Sequence, residues 1–147
     1  MTERRLPAPA RRVLIVSDTA EPTKSLRDVI RQRAETGDVK FRLIVLNPAR
    51  AELHPLHPER HAKAAEAETL LRSALPQLEL AARAPVIGSV SVRHDPMDAI
   101  EETLFSEPVD EIILDVSPHH LSSWLHQDLE HRLAHFHVPV ETIRHKA

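Results

Sequence analysis

The chain has no cysteine and no tyrosine, two glycines, three phenylalanines and one tryptophan among its 147 residues. Without cysteine, disulfides, thiolate metal sites and thiol nucleophiles are excluded, and a reducing compartment is compatible with the composition. With Gly37 and Gly88 far apart, a glycine-rich phosphate loop cannot form, because P-loop and dinucleotide fingerprints need several glycines within one strand-to-helix turn. So few aromatic faces leave no stacking platform for single-stranded nucleic acid. Positive charge is not in excess either: 19 Lys and Arg stand against 22 Asp and Glu, a formal charge of -3, so polyanion and anionic-membrane partners are disfavoured. No apolar run approaches membrane-spanning length, and the start, MTERRLPAPARR, has arginines without an apolar core segment. A soluble, unexported, cytoplasmic protein is the expectation.

What is present is a regular alternation of short apolar runs and helix-period segments. A chain of 147 residues suits one domain with its own core. Residues 1–11, rich in Pro, Ala and Arg, read as a mobile tail, and the domain is expected over 12–147. Val13 to Val16 is a β-branched run of the kind a strand buried on both faces carries, and it ends in Ser17, Asp18 and Thr19. Pro22 suits the first turn of a helix whose stripe is Leu26, Val29, Ile30 and Ala34, with Gly37 as a left-handed terminator. Val39 to Leu46 is a second strand stopped by Asn47 and Pro48, followed by an irregular loop. Glu59 to Leu80 is rich in helix formers, with Pro76 expected to kink or end the helix. Val86 to Val92 is a third strand with Gly88 inside it. Asp95 caps a third helix, Pro96 opens it, and Ala99, Ile100, Leu104 and Phe105 are expected to face inward.

The stretch from Val109 to Phe136 carries the clearest strand-loop-helix signal. Ile112, Ile113 and Leu114 form the strand, and Leu121, Trp124, Leu125, Leu129, Leu133 and Phe136 recur at helical spacing. Val138 to Ile143 closes the chain as a fifth strand, and Pro139 suggests an edge position or a strand start. Strands alternating with helices imply an α/β, Rossmann-like three-layer sandwich whose five-stranded parallel sheet takes the order 3-2-1-4-5. In such sheets ligands sit beyond the carboxyl ends of the strands, where the winding reverses between the first and fourth. The crevice there would collect Asp18, Thr19, Asn47, Asp115, Ser117, His119, His120 and Ser122, which form the candidate ligand-binding set.

The order of elements and four local patterns resemble the universal stress protein family over roughly Arg12 to Ile143. VLIVSDT is similar to the family's first strand ending in aspartate, HDPMDAI to its Asp-Pro helix start, PVDEIILD to its fourth strand and HVPVETI to its Cys-Pro-Val terminal strand. The resemblance implies the fold of the adenine nucleotide alpha hydrolase-like class and homodimers formed through the last strand. ATP-binding members carry Gly-x2-Gly-x9-Gly-Ser/Thr after the fourth strand. Here Asp115 stands at the first glycine, and His126 with Gln127 at the Gly-Ser pair, in a loop two residues shorter. An anionic side chain repels phosphate, and side chains at glycine positions block close backbone approach. Only Asp18, with Thr19 beside it, matches a nucleotide-contacting position. The pattern Ser117-Pro118-x3-Ser122-x-Trp124-Leu125-x2-Asp128-Leu129 is similar to a subset of the family with a distinct loop. The implied function is a non-enzymatic, homodimeric ligand-sensing or interaction module of stress adaptation that binds no ATP. The alternatives are an ATP- or AMP-binding member with weak or no hydrolysis, and a histidine-based metal sensor.

Eleven histidines motivate the metal alternative: His54, His57 and His61; His131 and His135; and His119 with His120. Two histidines one helical turn apart can share zinc, but a structural site needs four ligands and supporting partners, and Arg60 and Arg132 oppose a cation. They read as exposed histidines, and no metal is assigned. His119 or His120 as a general base lacks a nucleophile context, so no catalytic residue is assigned. Asp18 and Asp115 read either as paired carboxylates with one raised pKa or as carboxylates serving helix N-termini, the latter preferred. Ser117, Ser122 and Ser123 read as helix caps as readily as anion ligands, and Trp124 as core.

Overall fold

A computed structural model describes residues 10–18, 21–46, 58–91, 96–116 and 136–143. Five strands, β1 (Arg11–Ser17), β2 (Val39–Leu46), β3 (Ile87–Ser91), β4 (Glu111–Asp115) and β5 (Val140–Thr142), form one sheet in the order β3-β2-β1-β4-β5. Every pairing is parallel, as expected for strands separated by helical crossovers. The described helices are α1 (Lys24–Thr36), α2 (Pro58–Ala82) and α3 (Pro96–Ser106). None of the described helices is long and apolar enough to cross a membrane.

Side chains alternate across the sheet and feed two cores. Val13, Ile15, Phe41, Leu43, Val45 and Ile113 meet Leu26 and Ile30 of α1 and Ala74 and Leu78 of α2. On the opposite face Leu14, Val16, Ile44, Ile112 and Leu114 meet Ala99 and Ile100 of α3. Burial on both faces is why β1 and β4 read as unbroken apolar runs. Each valine, leucine, isoleucine or phenylalanine side chain so buried contributes about 1.5–3 kcal/mol. At Gly88 a Cβ would lie 2.6 Å from Leu71 Cδ1 and 3.0 Å from Leu75 Cδ1, so α2 approaches β3 closely because no side chain intervenes.

Several expected details are corrected. Pro22 precedes α1, and Thr23 is the N-cap, its Oγ1 accepting from the amide of Leu26 at 3.1 Å. Gly37 is extended, with φ 170° and ψ -171°, and does not take the left-handed conformation. Pro76 does not end α2, which continues to Ala82; Pro76 lies exposed, so the carbonyl it orphans faces water. Phe105 does not face inward: it is 77% exposed, its ring set edge-on against Phe136 at 5.5 Å. Lying five residues beyond Ile100 turns it about 140° away from the buried stripe. Pro139 immediately precedes β5, which is an edge strand, so both readings of that proline hold. The fourth helix and Trp124 fall outside the described residues.

At the amino end of the sheet α1 is tied to β4 by charge. Arg33, in the last turn of α1, donates from Nε and Nη2 to the two carboxylate oxygens of Glu111 at 3.0 and 2.9 Å. Arg33 Nη2 also donates to Glu141 of β5 at 2.9 Å, and Arg11 Nη2 to Glu111 at 3.4 Å. The fork from Arg33 holds the Glu111 carboxyl below its ordinary value of 4.5, outweighing the burial that pushes it upward, and the same bond raises the Arg33 guanidinium.

A carboxyl depressed in the folded state contributes stability above its unfolded pKa, near 4.3, and loses that contribution as pH falls through the folded value. Glu111→Gln should therefore lower stability to urea by about 1–3 kcal/mol at neutral pH. Its difference from the parent should shrink below pH ~4.3; a constant difference down to acid pH would refute the ion-pair account. Gly88→Val should cost about 1–3 kcal/mol in the same assay, through the clash with Leu71 and Leu75.

Candidate functional site

The carboxyl ends of β1 and β4 lie side by side, with Ser17 in register with Asp115. Here the chain's winding direction reverses, since β2 and β3 lie to one side of β1 and β4 and β5 to the other. Each apolar run stops in polar residues that remain buried: Ser17 is 3% exposed, Asp18 8% and Asp115 fully enclosed.

Asp115 has the same parity on β4 as Glu111 and Ile113, so it points to the face covered by α1. Thr23 donates from Oγ1 to Asp115 Oδ1 at 3.3 Å, and its backbone amide lies 3.5 Å from Oδ2. Because Thr23 Oγ1 also accepts from Leu26, one hydroxyl relays from a buried carboxylate to an otherwise orphaned helix amide. The carboxyl group thus sits at the amino end of α1, where a helix leaves amides without intrahelical acceptors. Of the two expected readings of Asp115, service to a helix N-terminus is the one the geometry supports.

Of the residues expected at the crevice, the structure brings Asp18 and Asp115 to adjoining strand ends. Thr19, Asn47, Ser117, His119, His120 and Ser122 lie outside the described residues, as do His126 and Gln127. The same holds for His54, His57, His131 and His135, while His61 falls within α2 without a described side chain. Among the described residues no group of three or more His, Cys, Asp or Glu is arranged to hold a metal ion.

No family model and no curated protein matches the chain. The site must therefore be read from its own chemistry. Asp18 and Asp115 bring two buried carboxyl groups to adjoining strand ends, and the Asp115 group is engaged by Thr23.

Sequence reasoning passed over Thr23, Arg33 and Glu111, which organise both ends of α1. The signals were there in part: Arg33 continues the Leu26, Ile30 spacing by three, and Glu111 and Asp115 bracket the β4 run with the same parity. Nothing local, however, pairs residues 78 or 92 positions apart.

The relay makes a quantitative claim. Thr23→Ala should cost about 1 kcal/mol, and Asp115→Ala about 1–3 kcal/mol. Combined in a double-mutant cycle followed by urea unfolding, the two should couple by at least about 0.5 kcal/mol. Strict additivity would mean that the two side chains act independently.

Proposed function

We propose that the chain is a universal stress protein-like module without enzymatic activity, a cytoplasmic homodimer that senses a small ligand or engages a partner during stress and does not bind ATP. The five-stranded order 3-2-1-4-5 and its reversal between β1 and β4 support the family resemblance, as do the strand-end aspartates. The observation that carries the non-ATP reading is Asp115, a fully enclosed carboxylate at the end of β4. In the resembled ATP-binding motif a glycine stands there and its bare backbone embraces phosphate. Here the position holds a carboxyl side chain already engaged by Thr23, and a side chain there blocks the close backbone approach that a phosphate cradle needs.

The homodimer is proposed through β5, an edge strand of three residues whose side chains are only partly buried. An edge of this kind presents unpaired backbone groups to a second copy.

Titration calorimetry with ATP and with AMP on the full chain tests the reading. No saturable heat is expected at nucleotide concentrations up to about a millimolar, a level at which binding is worth about 4 kcal/mol. Saturable micromolar binding would overturn it in favour of a nucleotide-binding member, and release of phosphate would make the chain an enzyme. Sedimentation equilibrium should give a dimer that Val140→Pro, which cannot donate along the β5 edge, converts to monomer.

A further inference from the structure

A second charged region lies at the opposite end of the sheet, on the α3 face. Arg12, Lys40 and Arg42 share the parity of Leu14 and Ile44, which belong to that face's core. The β1–β2 register sets Arg12 directly beside Lys40 and Leu14 beside Arg42, while Arg42 is in turn paired with Ile87 of β3. Adjacent strands lie about 4.8 Å apart, so two like charges directly abreast repel unless an anion joins them.

These residues line a groove of about 140 Å³ together with Ile87, Glu107 and Val109. Glu107 is the one carboxylate in that lining, and it is divided between two cations: Arg42 Nη1 donates to it at 3.2 Å, and Arg12 Nη1 lies 4.0 Å away. Within the lining three cations thus face one anion, and beside it Asp110 accepts from the Arg12 amide at 2.8 Å, so cations still outnumber carboxylates. Among the described residues Arg42 Nε is buried without an acceptor, and an unsatisfied buried donor of this kind calls for a ligand, ion or water to complete it. Ile87, 62% exposed, adds an apolar rim.

We propose that this groove is an oxyanion site for a phosphate group, either inorganic phosphate or the phosphate of a monoester. Arg42 supplies the planar fork suited to paired oxygens, Lys40 a mobile point charge, and Arg12 the opposing wall. The groove is smaller than the range usual for drug-sized ligands, so it takes the phosphate group itself, and the remainder of a monoester lies outward against Ile87. The site is separate from the switch-point crevice and does not depend on the reading given to it.

Amide NMR titration of the full chain with inorganic phosphate, against sodium chloride at matched ionic strength, tests the assignment. Saturable shifts confined to the neighbourhood of Arg12, Lys40, Arg42 and Ile87 are expected with phosphate and not with chloride. Arg42→Gln should weaken phosphate binding by about tenfold, and Lys40→Gln several-fold; Lys40 is exposed, so this variant keeps the test valid whatever the first does to folding. Glu107→Gln, which removes the internal competitor, should tighten binding. Tighter binding of phenyl phosphate than of inorganic phosphate would assign the group to a monoester, and the reverse order to the free anion. Equal shifts in chloride, shifts only at the Asp18 end, or affinity unchanged by Lys40→Gln would overturn the proposal.

Discussion

The placement of α1 against β4 depends on two buried carboxylates on one strand. Glu111 and Asp115 are four residues apart, share a face and bracket Ile113, a separation of about 13 Å along an extended chain. Thr23 and Arg33, their partners on α1, are ten residues apart, about 15 Å along a helix. The spans agree, and so do the signs. A carboxylate meets the positive amino end of the helix, and a guanidinium in the last turn meets the other carboxylate. Sliding α1 by one turn, about 5.4 Å, would take from each buried acid its partner on α1, at a cost of several kcal/mol. An apolar pair at either end would stabilise comparably but would tolerate the slip. The polar pairs therefore fix where the helix lies more than how strongly it is held.

That placement bears on the proposal that the chain does not bind ATP. The residue ending β4 has its side chain turned to α1 and engaged there. A loop that recognised phosphate through bare backbone would need this position empty of side chain. Asp115 does not meet that condition, and its removal would leave Thr23 without the acceptor for its hydroxyl. The requirement that seats α1 and the requirement for a polyphosphate cradle thus conflict at a single residue.

How much of this the sequence discloses follows from the range of the forces involved. The strands were legible because burial on both faces demands unbroken apolar runs, and β2 begins and ends where Val39 to Leu46 predicts. The sheet order follows from parallel connection and handedness. Element ends were less legible, because they answer to local competition: Pro76 continues inside α2 since its missing bond falls on the exposed side. Thr103 is buried although polar, its hydroxyl donating to the Ala99 carbonyl one turn back, while Phe105 takes the outer face. At the site, Asp18 and Asp115 were legible as strand-end acids. Their relation to Thr23 was not, since a contact across 92 positions leaves no periodic trace.

A parallel sheet also gathers all strand starts at one end, and there the ionic residues divide unequally. On the α1 face Glu111 is met by Arg33 and Arg11, and Glu141 shares Arg33, so two acids and two cations close into one network. On the α3 face Arg12, Lys40 and Arg42 have Glu107 in the groove they line and Asp110 beside Arg12, three cations to two acids. The same strand ends thus yield a neutral clamp on one face and a positive excess on the other. The carboxyl ends of β1 and β4 instead carry buried aspartates. Among the described residues, buried acids therefore stand at one end of the sheet and the proposed oxyanion groove at the other. On the proposal made above, a phosphate group is held about a strand's length away from the crevice that the topology alone would nominate.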